Sequence, residues 1–242
     1  MIRAIIFDLG GTLVEYKLPG TNWTQFEQAG AEATFAHLVR QGHKLPPRKV
    51  FVDEVVKEVQ LRWRQVTEQG GNLRLADVLR DVCGRYAVVL LPPEVEAAVH
   101  NYVTPLSAHA TALPGAKETL QTLCARGLKI GLVSNTMWPG HYHLDDLARH
   151  SLAGYFHHTL FSADVGVWKP HPEIFHRSLS ALGVTPHESV FVGDFLLHDI
   201  VGAQGVGMKG VHIMTGELSA DSAEPDGRIS ALAELPALIA QW

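Results

Sequence analysis

The sequence predicts an α/β fold: a parallel sheet covered by helices, with an all-helical segment inserted after the first strand. Short apolar runs with little polar alternation are the first sign, because strands buried on both faces need no polar side. Helical patterns separate the later runs, which favours right-handed strand–helix–strand crossovers. The predicted strands are residues 4–9, 129–135, 159–165, 189–194 and 210–214.

Two helices are predicted directly before two of the later strands. In residues 115–126 apolar side chains recur on one helical face, and Gly127 follows where a C-terminal cap belongs. Residues 171–182 show the same periodicity before the strand at 189–194. This alternation is typical of a sheet whose strands are connected by helices.

The inserted segment, residues 16–108, contains no convincing strand pattern. Thr24–Glu27 has the spacing of a capping box, and Pro93 is placed to begin the last helix of the segment. Its apolar stripes at helical spacing indicate packing faces and not a cofactor site. We therefore predict a core domain built from residues 1–15 and 109–242 and a helical domain from 16–108.

Composition excludes several classes of protein. The chain has 242 residues, of which 46% are apolar and 19% charged, with a net charge of -5. This is enough apolar material for a real core and gives no basic surface for nucleic acid. No apolar run approaches the roughly 20 residues that span a bilayer. Because Asp8 interrupts the N-terminal apolar run, we predict no signal peptide, and we expect a soluble cytoplasmic protein.

Several further features receive a structural interpretation. Cys83 and Cys124 lack a metal-binding spacing, which indicates reduced thiols in helices. The acidic stretch 216–228 is typical of a surface loop. The remaining predictions are buried packing for the two tryptophans near the later strands and solvated rings for the paired histidines, namely Trp138, Trp168, His141, His143, His157 and His158.

Polar residues end or follow four of the predicted strands. Ligands bind at the carboxyl ends of the strands in open α/β sheets, where these side chains would share one crevice. A single acid in such a place is usually a helix cap, but several polar endings in register indicate a site. The residues are Asp8, Ser134, Asn135, Lys169, Asp194 and Asp199.

These residue types suit phosphoryl transfer. A carboxylate such as Asp8 can attack phosphorus and form an aspartyl-phosphate. Mg²⁺ prefers carboxylates, substrate oxygens and water, and it reduces the repulsion between an anionic nucleophile and an anionic substrate. The Ser134 hydroxyl can hold phosphate oxygens, and Lys169 can balance the charge that develops.

In the order and spacing of its motifs, the chain resembles the haloacid dehalogenase (HAD) superfamily of hydrolases over essentially its whole length. The resemblance implies a Rossmann-like (HAD-like) core with a C1-type helical cap that closes over the substrate. It also implies a Mg²⁺-dependent phosphatase, a phosphoric monoester hydrolase. The motifs are FDLGGTL at 7–13, LVSN at 132–135, GVWKPHPEIF at 166–175 and VGDFLLHDIVGA at 192–203, with ALPGAKETL at 112–120 where the chain re-enters the core.

The resemblance assigns a role to each matching residue. Asp8 is the expected nucleophile, with Lys169 and Ser134 beside it in catalysis, and Asn135 is expected to order the nucleophile loop. The implied substrate-binding residues are Thr12, Ser134, Asn135 and Lys169. The implied Mg²⁺ ligands are Asp8, the Gly10 backbone carbonyl, Asp194 and Asp199, the last directly or through water.

One residue departs from the family pattern. The second acid of the usual Asp-x-Asp motif protonates the leaving alcohol and then activates water, and here that position is Gly10. Glycine keeps the backbone carbonyl, so the departure puts proton transfer in doubt and leaves metal binding intact. General acid–base catalysis is worth roughly 10²–10⁴ in rate. Glu15, His171 and His198 are the nearest substitutes by sequence.

Three interpretations stay open at this point. The first is a phosphatase that cleaves a small phosphorylated metabolite through an aspartyl-phosphate on Asp8. The second is a weakly active or inactive relative that binds a phosphorylated ligand or a protein partner. The third is a 2-haloacid dehalogenase-type hydrolase, because a halide leaves without a proton, although the acids at 194 and 199 would then be unnecessary. Either a monomer or a homodimer is compatible with the sequence.

Overall fold

A computed structural model describes residues 1–17, 20–214 and 224–242. Within these ranges, six strands form one parallel sheet in the order β5-β4-β1-β6-β7-β8. The strands are β1 (Ala4–Phe7), β4 (Lys129–Ser134), β5 (His158–Phe161), β6 (Ser189–Gly193), β7 (Lys209–Ile213) and β8 (Gly227–Ile229). The predicted α/β fold is therefore confirmed.

The first strand lies between β4 and β6. Its last residue, Phe7, is in register with Leu132 on β4 and Val192 on β6. All four residues of β1 are buried, as an apolar strand covered on both faces should be. The Asp8 N–H donates to the Val192 carbonyl at 2.9 Å, so the chain leaves the sheet with Asp8 at its carboxyl edge.

Helices make up most of the inserted segment. An antiparallel pair of short strands, β2 (Val14–Glu15) and β3 (Thr111–Ala112), lies where the chain leaves and rejoins the core. The described helices between them are α1 (Trp23–Arg40), α2 (Arg48–Gln69), α3 (Leu75–Gly84) and α4 (Pro92–Ser107). Their apolar faces join the core on one face of the sheet in a single continuous cluster of buried residues.

The first of these helices begins earlier than its sequence predicts. The predicted capping box at Thr24–Glu27 is wrong, because the box lies two residues earlier. Asn22 accepts from the Gln25 N–H at 2.9 Å, and the Asn22 N–H donates back to Gln25 at 3.1 Å. An amide side chain at each end satisfies the same free backbone donors as the Ser/Thr–Glu pair. Helix α4 likewise begins at Pro92, one residue before the predicted start.

Helices cover both faces of the main sheet. On the second face, a separate buried cluster forms around Ile6, Phe175 and Phe191. No described helix is both long and apolar enough to cross a membrane. The described helices of the core are α5 (Ala116–Ala125), α6 (Gly140–Arg149), α7 (Ser162–Val165), α8 (Pro172–Leu182), α9 (Gly202–Gly205) and α10 (Leu235–Ile239).

Two predictions near the ends of strands need correction. The strand predicted at 159–165 stops at Phe161, and Ser162 begins a short helix. The Ser162 hydroxyl donates to the Thr136 carbonyl at 3.0 Å and accepts the Thr136 N–H at 2.8 Å, which turns the chain there. The loop predicted at 216–228 is wrong at its end, because β8 begins at Gly227. Residues 216–223 of that loop lie outside the described residues.

Candidate active site

The main site lies at the carboxyl edge of the sheet. Asp8 follows β1, Ser134 ends β4 and Asp194 follows β6, so three adjacent strands deliver their next polar residues to one place. Lys169 reaches the same place from the segment between α7 and α8. The structure thus brings together the polar strand endings that the sequence predicts to converge.

Lys169 is the centre of the polar contacts. Its Nζ lies 2.6 Å from Asp8 Oδ1 and 2.8 Å from Asp199 Oδ1, and it donates to the Val133 carbonyl at 2.8 Å. The side chain is almost fully buried. Burial alone would lower the pKa of Lys169, but the charges of Asp199 and Asp8 outweigh it, so the pKa is raised. The group is therefore a permanent buried cation.

Negative charge exceeds positive charge at this site. Carboxylate oxygens of Asp8, Asp194 and Asp199 lie within 4.8 Å of one another, around the single ammonium of Lys169. Burial, reinforced by Asp8 and Asp199, raises the pKa of Asp194 to about 8. Burial also raises the pKa of Asp8 to about 6, although Lys169 opposes that rise. Such a cluster of oxygen ligands fits a hard divalent cation such as Mg²⁺.

The loop after β1 is shaped around this cluster. Gly11 has φ +76°, and a Cβ there would lie 2.3 Å from Asp194 Oδ2. The Asp194 carboxylate therefore packs directly against the backbone of the loop, which only glycine allows. Asp199 is held by the Phe195 N–H, which donates to its Oδ2 at 3.0 Å. Backbone therefore packs against Asp194 and donates a hydrogen bond to Asp199.

The predicted substrate-binding residues surround Asp8. Thr12 is fully buried, and its Oγ1 has no hydrogen-bond partner among the described residues. Ser134 is nearly buried at the end of β4. Asn135 holds the backbone of Lys169 from both sides: its Oδ1 accepts the Lys169 N–H at 2.8 Å, and its Nδ2 donates to the Lys169 carbonyl at 2.9 Å. Its described contacts thus order the lysine segment and not the nucleophile loop.

The position of the absent acid is sterically open. A Cβ on Gly10 would meet the Tyr16 ring at 3.9 Å, an ordinary contact. The three substitutes named from sequence have other partners or surroundings. Glu15 accepts two backbone N–H groups at 2.8 Å, His171 caps α8, and His198 is buried with its ring stacked on a neighbouring phenylalanine. None of their described hydrogen bonds reaches Asp8.

A buried polar chain beside Gly10 escaped the sequence reasoning. Tyr16 Oη lies 2.8 Å from His143 Nδ1, and His143 Nε2 lies 2.7 Å from Thr136 Oγ1. Burial lowers the pKa of His143 to about 3, so its ring is neutral. The prediction of a solvated ring is wrong for this histidine. One signal was available: His143 and Leu147 recur at helical spacing on the buried face of α6.

Trp138 and Trp168 are buried, as predicted. Trp138 stacks on His143, with ring centroids 5.2 Å apart. Cys83 and Cys124 are free thiols in the structure. Neither cysteine belongs to the acidic cluster around Lys169.

Comparisons with known proteins agree with this architecture. The family of haloacid dehalogenase-like hydrolases matches residues 2–207. A glyceraldehyde 3-phosphate phosphatase from Pyrococcus furiosus is 30% identical over 222 residues, covering 89% of this chain and 82% of that protein. A protein of the same name from Methanopyrus kandleri is 32% identical over 218 residues, covering 90% and 86%.

A solved structure gives the same fold. The 2-haloacid dehalogenase from Pseudomonas syringae pv. Tomato DC3000 superimposes with a TM-score of 0.71 at 24% identity, covering 100% of both chains. At this identity the likeness carries the fold alone. The family match over most of the chain identifies the class: the chain belongs to the haloacid dehalogenase-like hydrolases.

Proposed function

We propose that this hydrolase is a Mg²⁺-dependent phosphatase for small phosphorylated metabolites, with Asp8 as the nucleophile. The observation that carries the proposal is the Asp8 carboxylate at the end of β1, 2.6 Å from a buried ammonium and inside a cluster of acids. The relatives named as phosphatases of a three-carbon phosphate support this substrate class.

The proposed reaction has two displacements. An Asp8 oxygen attacks phosphorus, an O–P bond forms, and the bond from phosphorus to the leaving oxygen breaks. Water then attacks the phosphorus of the aspartyl-phosphate, and the bond to Asp8 breaks, releasing inorganic phosphate. Lys169 keeps Asp8 ionised before the attack and lies beside the charge that develops during it.

The acidic cluster is proposed to hold Mg²⁺ through Asp8, Asp194, Asp199 and the Gly10 carbonyl. The raised pKa of Asp194 supports this assignment, since it reflects burial first and then the neighbouring charges of Asp8 and Asp199, which Lys169 only partly offsets. When bound, the ion would neutralise phosphate charge and polarise the bond to phosphorus. The Thr12 hydroxyl, which has no hydrogen-bond partner in the described part of the chain, and the Ser134 hydroxyl are proposed to donate to phosphate oxygens.

We also propose that residues 16–108 form the lid of this site. Helices α1 to α4 pack on the same apolar cluster as one face of the sheet, and the start of α3 is hydrogen-bonded to the segment that follows β4. A closed lid would exclude water during the first displacement and select the leaving group. Residues 1–15 and 109–242 would then be the catalytic core.

Gly10 sets the proposed preference for leaving groups. A leaving alcohol of high pKa needs a proton during departure, whereas an acyl or aryl oxygen leaves readily as an anion. Because no acid stands at residue 10, we expect acyl and aryl phosphates to be cleaved faster than alkyl phosphates. The difference should approach the roughly 10²–10⁴ that general acid catalysis contributes.

The decisive experiment is a phosphate-release assay on a panel of acyl, aryl and alkyl phosphates, with Mg²⁺ and with EDTA. We expect turnover that requires Mg²⁺ and is lost in Asp8→Asn, while circular dichroism shows an unchanged fold. Gly10→Asp should raise turnover on alkyl phosphates, since a Cβ at residue 10 makes only an ordinary contact. Retained turnover in Asp8→Asn would refute the nucleophile. If no compound in the panel releases phosphate, the interpretation as a ligand-binding protein is favoured. Release of halide from 2-haloacids would favour the interpretation as a dehalogenase-type hydrolase.

A further inference from the structure

The loop that joins α2 to α3 is tied to the segment that carries Lys169. The Trp168 indole N–H donates to Asn72 Oδ1 at 3.1 Å. Trp63, on α2, packs edge-on against Trp168 with ring centroids 4.9 Å apart and planes at 81°. A hydrogen bond and an aromatic pair thus join the helical insert to one core side chain.

Two hydrogen bonds to backbone carbonyls of the core lie next to this contact. Arg74 donates through Nε to the Ala163 carbonyl at 2.9 Å, and the Leu75 N–H donates to the Met137 carbonyl at 2.9 Å. Both acceptors lie on core segments beside the active site, one in α7 and one after β4. The start of α3 is therefore docked on the core independently of Trp168.

Trp168 connects this docking to the reaction centre. It is almost fully buried and is joined by one peptide bond to Lys169. Both backbone polar groups of Lys169 are held by Asn135 at 2.8 and 2.9 Å. A shift of the Trp168 ring would therefore be transmitted to a short segment that is fixed on its other side. The position of Lys169 Nζ against Asp8 depends on that segment.

The insert side of the contact is exposed and follows a pair of glycines. Trp63 is 41% exposed, and Asn72 is also exposed, so the contact lies at the rim of the protein. Gly70 and Gly71 precede Asn72 with φ values of +76° and +112°, a conformation that glycine adopts without strain. An exposed segment of the insert, next to two glycines, therefore contacts a buried core side chain.

We propose that Trp63 and Asn72 are positioning residues: they seat the helical insert on Trp168 and so keep the adjacent Lys169 segment in its reactive place. The kinetic part of this inference rests on the proposed phosphatase function. Its structural part stands on the contacts alone, which allows the two to be tested separately.

The test compares Asn72→Ala, Asn72→Asp and Trp63→Leu with the unchanged protein and with Leu61→Ala. Leu61 is the matched control, since it is 44% exposed on the same helix. Asn72→Asp keeps an oxygen acceptor for the indole N–H. Two readouts are taken with Mg²⁺ present: kcat and KM for an aryl phosphate, and hydrogen–deuterium exchange of the peptide spanning residues 163–171.

We expect Asn72→Ala and Trp63→Leu to lower kcat about three- to tenfold, as the loss of one hydrogen bond or aromatic pair implies. KM should change less than about twofold, because Thr12 and Ser134, the proposed hydrogen-bond donors to phosphate, are untouched. Exchange in the 163–171 peptide should accelerate by a similar factor while peptides in β1 and β6 stay unchanged. Asn72→Asp and Leu61→Ala should match the unchanged protein.

Unchanged exchange in the 163–171 peptide of Asn72→Ala would overturn the inference, whatever the activity. Accelerated exchange throughout the protein would also overturn it, because it would indicate general destabilisation. If the unchanged protein cleaves no phosphate ester, the proposed function fails, yet local acceleration of exchange in that peptide still supports the docking role. Local acceleration with unchanged kcat would refute the link to Lys169.

Discussion

Replacing Lys169 by Met tests whether its ammonium holds the acidic cluster together. The substitution removes two ion-pair contacts, at 2.6 and 2.8 Å, and leaves the Val133 carbonyl without its donor. Removing one partner of a buried pair costs about 3–5 kcal/mol. For a chain of this size we expect the melting temperature in EDTA at about pH 8 to fall by roughly 6–20 °C.

The same variant should recover stability in acid. Lys169 opposes the rise in the pKa of Asp8, so its loss raises that pKa further above the value in the unfolded chain. A carboxyl whose pKa is raised on folding costs stability as pH rises and ceases to cost once protonated. The difference in melting temperature between Lys169→Met and the unchanged protein should therefore be smaller when the melts are repeated at about pH 5.

The control is Lys49→Met, which removes an exposed pair with Asp53 within α2. Exposed pairs contribute at most about 1 kcal/mol, so this melt should barely change. A Lys169→Met protein as stable as this control at about pH 8 would refute the view that an uncompensated buried cluster exists there. If the difference in melting temperature between Lys169→Met and the unchanged protein is the same at about pH 8 and about pH 5, the raised pKa of Asp8 is refuted.

Three further predictions concern stability. In EDTA the free energy of unfolding of the unchanged protein should fall by on the order of 2 kcal/mol between pH 6.5 and 8. The reason is that folded Asp194, whose pKa is raised to about 8, keeps a proton that the unfolded chain has released. Denaturant titrations of Asp194→Asn should show no such dependence on pH. Below about pH 6.5 His143 is protonated in the unfolded chain but stays neutral in the native state. The difference in free energy of unfolding between the unchanged protein and His143→Gln should therefore shrink as pH falls. A difference that does not change with pH would contradict this expectation. Gly11→Ala should lower the free energy of unfolding by at least about 1–2 kcal/mol, because φ is +76° there and the new Cβ would meet Asp194. Gly10→Ala should have little effect, because its Cβ makes only an ordinary contact. Equal denaturation midpoints for the two variants would contradict this difference.

The convergence of the acids could be predicted because it depends on local patterns and one general rule. Asp8, Ser134 and Asp194 each follow a short apolar run, and parallel strands present their carboxyl ends along one edge. Burial of those runs needs no knowledge of particular partners. The helical insert could be predicted for a similar reason, because its apolar residues recur at helical spacing over many turns.

Contacts between distant side chains could not be predicted in this way. His143 is buried because its ring meets Tyr16, which is 127 residues away in the chain. Its periodicity on α6 indicates a buried position but does not reveal which polar partners make burial tolerable. The tie between Asn72 and Trp168 joins residues 96 apart and leaves no mark in local composition. These partnerships are fixed by tertiary packing alone.

The glycine pair at residues 10 and 11 separates a structural requirement from a chemical one. Gly11 is required by the backbone, because both its φ and the nearby Asp194 carboxylate exclude a side chain. Gly10 is under no such restriction, since a Cβ there has ordinary contact with Tyr16. Steric exclusion of a Cβ therefore does not explain the absence of an acid at residue 10. We propose a chemical explanation: a substrate whose leaving group needs no proton would make a carboxyl there dispensable, and its negative charge would add to a cluster that already holds three acids against one lysine.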